Sequence, residues 1–203
     1  AALPSSEILK EKQINSVISI VQAAELSADY KAMTDLYSAA SRGDIIYAEG
    51  LDTIVQDTDS KVLYYNLNMA DISNPAILEK PAPGQPSMKA AEVFCRYAIF
   101  IEGALRRGNV LVHCEQGRRR SPTAIVAFLV SRGVSPFDAI TTIGATYRGD
   151  EAEDWAPKYR KHRSIWIGAL GSWKEKSRSE ILSFKLDHPR LCKALIGMKW
   201  TEA

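Results

Sequence analysis

Two residues six positions apart, Cys114 and Arg120, enclose a short polar stretch of the chain. The segment before it, Val110 to His113, is apolar like a buried strand, and residues 122–130 are apolar like a buried helix. Ligands of α/β proteins bind where strands end, and the start of a helix offers unpaired backbone N–H groups to an anion. The sequence therefore predicts a site for a tetrahedral oxyanion between Cys114 and Arg120.

The residue types in this stretch predict phosphate chemistry. Successive backbone amides of a five-residue loop can surround one oxyanion, and the Arg120 guanidinium can bind two of its oxygens. The same positive field is expected to lower the pKa of Cys114, which would make its thiolate a nucleophile. Gly117 lets the backbone approach a ligand closely. Ser121 is placed to stabilise the sulfur when it leaves, and His113 to orient the loop through hydrogen bonds.

The other loop residues are predicted to form the rim of the site. Together with Gly117, the residues Glu115, Gln116, Arg118 and Arg119 are assigned to substrate binding. The two arginines either favour a multiply anionic substrate or brace the loop by pairing with neighbours such as Glu115. Glu115 partly cancels the charge of the two arginines, which favours the second role, bracing of the loop.

The combination of these residues resembles a known family. A lone cysteine is more often an apolar core residue than a nucleophile, but here His113-Cys114-x5-Arg120-Ser121 matches the signature of the cysteine-dependent phosphatases. The surrounding residues resemble the dual-specificity branch most, and weaker similarity extends from about Leu9 to Tyr147. The resemblance implies a fold like that of the protein tyrosine phosphatases.

The resemblance also implies a two-step mechanism through a cysteinyl-phosphate, without metal or other cofactor. Such a reaction needs a general acid for the leaving oxygen, which in the family is an aspartate on a loop after a strand. Asp71 follows the predicted strand 61–67 and takes this role, although an Asp before Ser-Asn-Pro is also good turn chemistry. Asp57 and Asp59 are rivals that precede the strand.

The expected activity is hydrolysis of phosphotyrosine and phosphoserine or phosphothreonine in proteins. One alternative is a phosphoinositide or RNA 5′-phosphatase with the same mechanism, and another is an adaptor that binds phosphate without turnover. The expected partner is a phosphorylated protein, with an anionic lipid or other multiply anionic substrate left open. Neither stable nucleic-acid binding nor membrane insertion is expected.

The elements that must position these residues alternate between helices and short apolar strands. This pattern predicts an α/β fold with a mostly parallel twisted sheet flanked by helices. Residues 1–150 are predicted to form the catalytic domain, and residues 151–203 a helical extension packed on it. Strands are expected at 16–21, 61–67 and 109–113. Helices are expected near residue 8, at 30–40, 89–107 and 122–130, and after Ser135, whereas residues 71–87 are rich in proline and predict a loop.

Composition restricts the class of protein. A chain of 203 residues with 46% hydrophobic and 25% charged residues is typical of a globular protein. Its longest apolar run, Ala124 to Val130, is too short to span a bilayer. Three scattered cysteines do not make a disulfide framework, and no signal segment is visible. These features predict a cytoplasmic or nuclear protein, and the missing initiator Met leads us to expect a trimmed N-terminus.

Charge is unevenly distributed along the chain. Residues 1–100 carry 8 Lys and Arg against 13 Asp and Glu, whereas residues 101–203 carry 18 against 11. The difference hints at an anionic partner for the C-terminal half, but charged surface is more often simply solvated.

Overall fold

The fold is taken from a computed structural model that describes residues 6–21, 44–49, 52–57, 59–68, 90–114, 117, 120–146 and 163–196. The predicted helix 30–40 and the proline-rich loop lie outside these residues. The strands are β1 (Ile14–Val21), β2 (Asp44–Glu49), β3 (Asp52–Gln56), β4 (Leu63–Asn68) and β5 (Asn109–Cys114). The helices are α1 (Ser6–Glu11), α2 (Ala90–Leu105), α3 (Arg120–Ser131), α4 (Pro136–Gly144), α5 (Arg163–Asp187) and α6 (Pro189–Ile196).

The five strands form one sheet in the order β2-β3-β4-β1-β5. The α/β class is confirmed, but the prediction of a mostly parallel sheet is wrong. Strand β1 runs parallel to β4 and β5, whereas β3 is antiparallel to both β2 and β4. The physical reason is the length of the connections, because strands joined by a few residues can pair only in antiparallel fashion. The sheet is therefore mixed.

The antiparallel part contains a hairpin, β2–β3, that was not predicted from the sequence. Both strands are rich in Ile, Val, Thr and Tyr, which favour strands. Only Gly50 and Leu51 separate them in the sequence, and a Gly-X pair between two β-branched runs is a recognised hairpin signal. The signal was present, but no strand was predicted between residues 22 and 60.

The chain divides into two compact units. The first unit contains the whole sheet, α1, the end of α2 from Phe100 onward, and α6. The second contains α2 up to Ile99 together with α3, α4 and α5. The predicted domain boundary at residue 150 stays a prediction.

In the first unit, apolar side chains cover both faces of the sheet, since successive residues of a strand point to opposite faces. On one face, Leu9 of α1 packs with Val17 and Tyr64 in a buried cluster. On the other face, the ring of Tyr65 meets the ring of Phe100 edge-on, with centroids 6.0 Å apart and planes at 83°. Helix α2 is thereby attached to the centre of the sheet through its last two turns.

Helix α6 packs closely against α2 within the first unit. Leu195 is buried and lies against Gly103, where an added Cβ would stand 2.9 Å from the Leu195 Cδ2 atom. The absence of a side chain at Gly103 therefore creates the space that Leu195 occupies.

In the second unit, α3, α4 and α5 pack against one another. The anchor is Trp173 of α5, which is 2% exposed. Its indole Nε1–H donates a hydrogen bond to the Ala127 carbonyl of α3 at 2.9 Å, and its ring lies 5.9 Å from that of Phe94 at an angle of 57°. A buried indole N–H needs such an acceptor, so this contact fixes α5 against α3.

The predicted start of α4 after Ser135 is confirmed. Ser135 is the N-cap, Pro136 is the first helical residue, and the Asp138 backbone N–H donates to the Ser135 hydroxyl at 3.0 Å. The Ser135 hydroxyl donates in turn to the Asp138 carboxylate at 2.6 Å. These bonds satisfy a backbone group that a helix start leaves without a partner.

Residues 151–203 were also predicted to be helical, and α5 and α6 bear this out for residues 163–196. No helix in the part of the chain that the structure describes is both long enough and apolar enough to cross a membrane.

Candidate functional site

The strand predicted before the signature and the helix predicted after it are both confirmed. Strand β5 ends at Cys114, and α3 begins six positions later at Arg120. Cys114 is 5% exposed, and Arg120 and Ser121 are each 4% exposed. Cys114 belongs to the first unit, whereas Arg120 and Ser121 belong to the second. That the Cys114 thiol and the Arg120 guanidinium bind the same oxyanion stays a prediction.

Gly117, in the middle of the loop, has a backbone conformation that favours glycine. Its φ is +70°, in the left-handed region that side chains with a Cβ rarely adopt. An added Cβ would meet no atom within 4 Å. The requirement for glycine therefore comes from the φ angle of this residue, and its predicted close approach to a ligand stays a prediction.

His113 is held by a neighbour that sequence reasoning missed. The Ser19 Oγ atom of β1 lies 2.5 Å from the His113 Nε2 atom, because the two residues are register partners in adjacent parallel strands. Burial lowers the pKa of His113 to about 4, against a smaller opposing effect from a hydrogen bond with the Cys114 backbone. The imidazole is therefore neutral at physiological pH, and it links β1 to the residue that begins the loop.

Ser19 and His113 belong to a row of polar residues that crosses the sheet near the carboxyl ends of β1, β4 and β5. The row consists of Thr53, Asn66, Ser19 and His113, each the register partner of the next. The preceding row on the same face is apolar and consists of Val55, Tyr64, Val17 and Leu111. Polar residues in an otherwise apolar strand, such as the serine in Val17-Ile-Ser-Ile, were the available signal for this row.

The first turn of α3 carries a buried charge. Arg120 begins the helix, and Ser121 and Thr123 beside it are also buried. The helix dipole disfavours a cation at this end, and arginine is rarely buried without a partner. Within the protein, Arg120 accordingly interacts with other groups.

The other two cysteines lie in helices, whereas Cys114 ends a strand. Cys95 is buried in α2, and burial, followed by the charges of Glu180 and Glu92, raises the pKa of its thiol to about 12. Such a thiol is not ionised at neutral pH and is a poor nucleophile. Cys192, in α6, is partly exposed.

One rival of the predicted general acid has a structural role. The Asp57 carboxylate accepts hydrogen bonds from the Asp59 backbone N–H at 3.0 Å and from the Ser60 hydroxyl at 2.6 Å. These bonds stabilise the turn between β3 and β4. Asp57 thus has a sufficient reason to be present without taking part in catalysis.

The remaining site predictions fall on residues outside the described ranges. They are the general acid and the four rim residues, namely Asp71, Glu115, Gln116, Arg118 and Arg119. Their assigned roles stay predictions. Among the described residues, no cluster of three or more His, Cys, Asp or Glu side chains is arranged to hold a metal ion.

Comparison with known proteins gives no family assignment. No protein-family model matches the chain, and no solved structure matches it with significance. The resemblance to the phosphatases therefore rests on the signature residues and on the elements that carry them.

Proposed function

We propose that the protein is a cysteine-dependent phosphatase of the dual-specificity type, which hydrolyses phosphotyrosine and phosphoserine or phosphothreonine through a cysteinyl-phosphate. The observation that carries the proposal is the placement of the signature: Cys114 ends a strand of the sheet, and Arg120 starts the next helix. The left-handed backbone at Gly117 and the neutral His113 beside Cys114 support it.

In the first step of the proposed reaction, the Cys114 thiolate attacks phosphorus and forms the S–P bond while the P–O bond to the leaving group breaks. Asp71 donates its proton to the leaving oxygen, so that a neutral alcohol or phenol departs. Arg120 and the backbone amides of the loop bind the phosphoryl oxygens as charge shifts onto them.

In the second step, a water molecule attacks phosphorus and the S–P bond breaks. The Asp71 carboxylate accepts the proton of that water, and inorganic phosphate is released. The Ser121 hydroxyl donates a hydrogen bond to the departing thiolate of Cys114, which makes the sulfur a better leaving group. The cycle returns every group to its starting state.

The class of phosphate substrate depends on the rim. Arg118 and Arg119 are the features that favour the alternative, a phosphoinositide or RNA 5′-phosphatase, because two additional cations would bind a multiply anionic substrate. A panel of phosphopeptides, phosphoinositides and 5′-phosphorylated RNA distinguishes the two. If the arginines brace the loop, their replacement by alanine lowers activity on all substrates alike. If they bind substrate, it lowers activity on the multiply anionic ones selectively.

Hydrolysis of an aryl phosphate tests the enzymatic proposal itself. The wild-type chain is expected to release phosphate without added metal. Cys114→Ser is expected to lower kcat by at least about 10³-fold, because a serine hydroxyl at its ordinary pKa is a weak nucleophile. Brief incubation followed by acid quench is expected to trap one phosphoryl group on Cys114.

The matched control is Cys192→Ser, which removes a thiol outside the proposed site and is expected to retain activity. Activity that survives Cys114→Ser would contradict the mechanism. Tight binding of a phosphopeptide without any turnover would favour the adaptor instead.

A further inference from the structure

The buried hydroxyl of Ser19 connects β1 with the strand that carries the candidate nucleophile. We infer that Ser19 is a positioning residue of the proposed active site: its hydroxyl fixes the His113 ring in one tautomer, and that ring holds the backbone of Cys114 at the start of the loop. The inference rests on the proposed function for its catalytic consequence. Its structural content can be tested separately.

The geometry of the contact leaves little freedom to the two side chains. Ser19 is 3% exposed, and its Oγ atom lies 2.5 Å from the His113 Nε2 atom. Both residues lie in paired strands of the same unit, at matched register positions. Without each other, the buried Ser19 hydroxyl and the ring nitrogen of the partly buried His113 would each lose a hydrogen bond.

The two neighbours of the ring determine which nitrogen carries the proton. A hydrogen bond with the Cys114 backbone raises the pKa of His113, which only an acceptor does. We therefore assign the ring as the donor and the Cys114 carbonyl as the acceptor. Since Nε2 faces Ser19, the donor is Nδ1. In a neutral imidazole the other nitrogen then accepts, so the Ser19 hydroxyl donates to Nε2.

Through this arrangement, the paired strands restrict the position of the Cys114 peptide, from which the loop begins. Ser19 is fixed by the pairing of β1 on both sides, with β4 and with β5. The ring therefore presents Nδ1–H to the Cys114 carbonyl in a defined direction and orients the peptide from which the loop begins. Misplacement of a reacting group by about 1 Å can cost about 10²-fold in rate, so the loss of this constraint should lower kcat.

The tautomer of His113 is the direct test. Long-range ¹H–¹⁵N correlation spectra of ¹⁵N-histidine-labelled protein distinguish the two neutral forms, and His113→Gln assigns the signals among the three histidines. The wild type is expected to show His113 as the Nδ1–H form alone. Ser19→Ala is expected to give a mixture of forms, whereas Ser19→Thr, which keeps the hydroxyl, is expected to restore the single form.

Ser16→Ala is the matched control, because it removes the same atom from a buried serine of the same strand. Ser16 points to the opposite face of the sheet, towards Tyr65 and away from His113. Its replacement is expected to leave the His113 tautomer unchanged. An Nδ1–H form that persists undiminished in Ser19→Ala, or an Nε2–H form in the wild type, would overturn the inference.

Kinetics then measure the catalytic consequence. Ser19→Ala is expected to lower kcat on an aryl phosphate about tenfold or more with little change in KM, and Ser16→Ala to change neither. The spectra do not depend on turnover. A chain without phosphatase activity would therefore overturn the proposed function, while the tautomer still decides whether Ser19 positions His113. A folded Ser19→Ala variant with wild-type kcat would overturn the positioning role.

Discussion

The partly buried imidazole of His113 makes the stability of the fold depend on pH. Its pKa is lowered from 6.5 to about 4 in the folded protein, so between these values the unfolded chain binds a proton that the folded chain does not. The resulting stabilisation is complete above about pH 6.5 and is lost as the pH falls towards 4. Its size is on the order of 3 kcal/mol.

We predict that His113→Gln removes this component of the acid sensitivity. Urea unfolding of both proteins at several pH values between 7 and 4 measures it. The free energy of unfolding of the wild type should fall more steeply with decreasing pH than that of the variant. Parallel curves would show that His113 titrates alike in the folded and unfolded chains.

Asp71 is predicted to act as the general acid, and its pH dependence has a definite sign. The carboxyl must be protonated in the first step, so the wild-type kcat/KM should fall as rising pH removes that proton. Asp71→Asn should lower kcat by about 10²–10⁴-fold and abolish this alkaline limb of the pH profile. Asp59→Asn is the control, and its pH profile should match that of the wild type. If the Asp71→Asn profile keeps its alkaline limb, another residue is the general acid.

At the scale of elements, the contact between α2 and α6 leads to a test of packing. Alanine has a higher helix propensity than glycine by about 1 kcal/mol, so Gly103→Ala would stabilise an isolated helix. In the protein, the new Cβ would lie 2.9 Å from the Cδ2 atom and 3.2 Å from the Cβ atom of Leu195. Overpacking of this kind costs about 1–3 kcal/mol, so we predict a net loss of stability on urea unfolding.

A double-mutant cycle separates the contact from other effects. Leu195→Ala alone should destabilise the protein by about 2–5 kcal/mol, because Leu195 is buried. In that background, Gly103→Ala should cost less than in the wild type, with a coupling energy of about 0.5–3 kcal/mol. Additive effects would mean that the two residues do not share the space.

The elements that were predicted well are those with a strong local signal. Helix α4 is indicated by Ser135, Pro136 and Asp138, and its cap is formed by these same residues. Strand β5 and helix α3 were expected within two residues of their observed ends, since their apolar runs are bounded by polar residues. The signature was recognisable for the same reason, because its chemistry and its local structure lie in adjacent positions.

What the sequence did not reveal depends on pairing between distant segments. Ser19 and His113 are 94 positions apart, and only the register of β1 with β5 shows that they meet. The orientation of the sheet was also missed, because the hairpin β2–β3 was not recognised and β3 then reverses the direction of the chain. Strand pairing is a tertiary property, so a local pattern constrains it only weakly.

At the scale of the whole molecule, the last two described helices contribute to both compact units. Trp173 and Leu170 of α5 are buried in the second unit, and Leu195 of α6 is buried in the first. A chain that ends at residue 150 would lack these side chains and expose the surfaces that they cover. Removal of each large buried side chain lowers the free energy of unfolding by about 2–5 kcal/mol.

We therefore predict that residues 1–150 alone do not form a stable protein, although the signature lies within them. Soluble expression and thermal unfolding followed by circular dichroism measure this against the full chain. Cooperative unfolding of the shortened chain at the wild-type temperature would show that residues 151–203 are dispensable for the fold.

The position of β1 between β4 and β5 also has a kinetic consequence. Strands β2, β3 and β4 follow one another closely, so their pairing closes only short loops, whereas the pairing of β1 with β5 must close a loop of more than ninety residues. We expect Ile54→Val in β3 to give a higher φ-value in folding experiments than Val112→Ala in β5. Equal values would argue against this order. In the expected order, the strand that ends in Cys114 joins the sheet late, so the candidate nucleophile reaches its place only when folding is nearly complete.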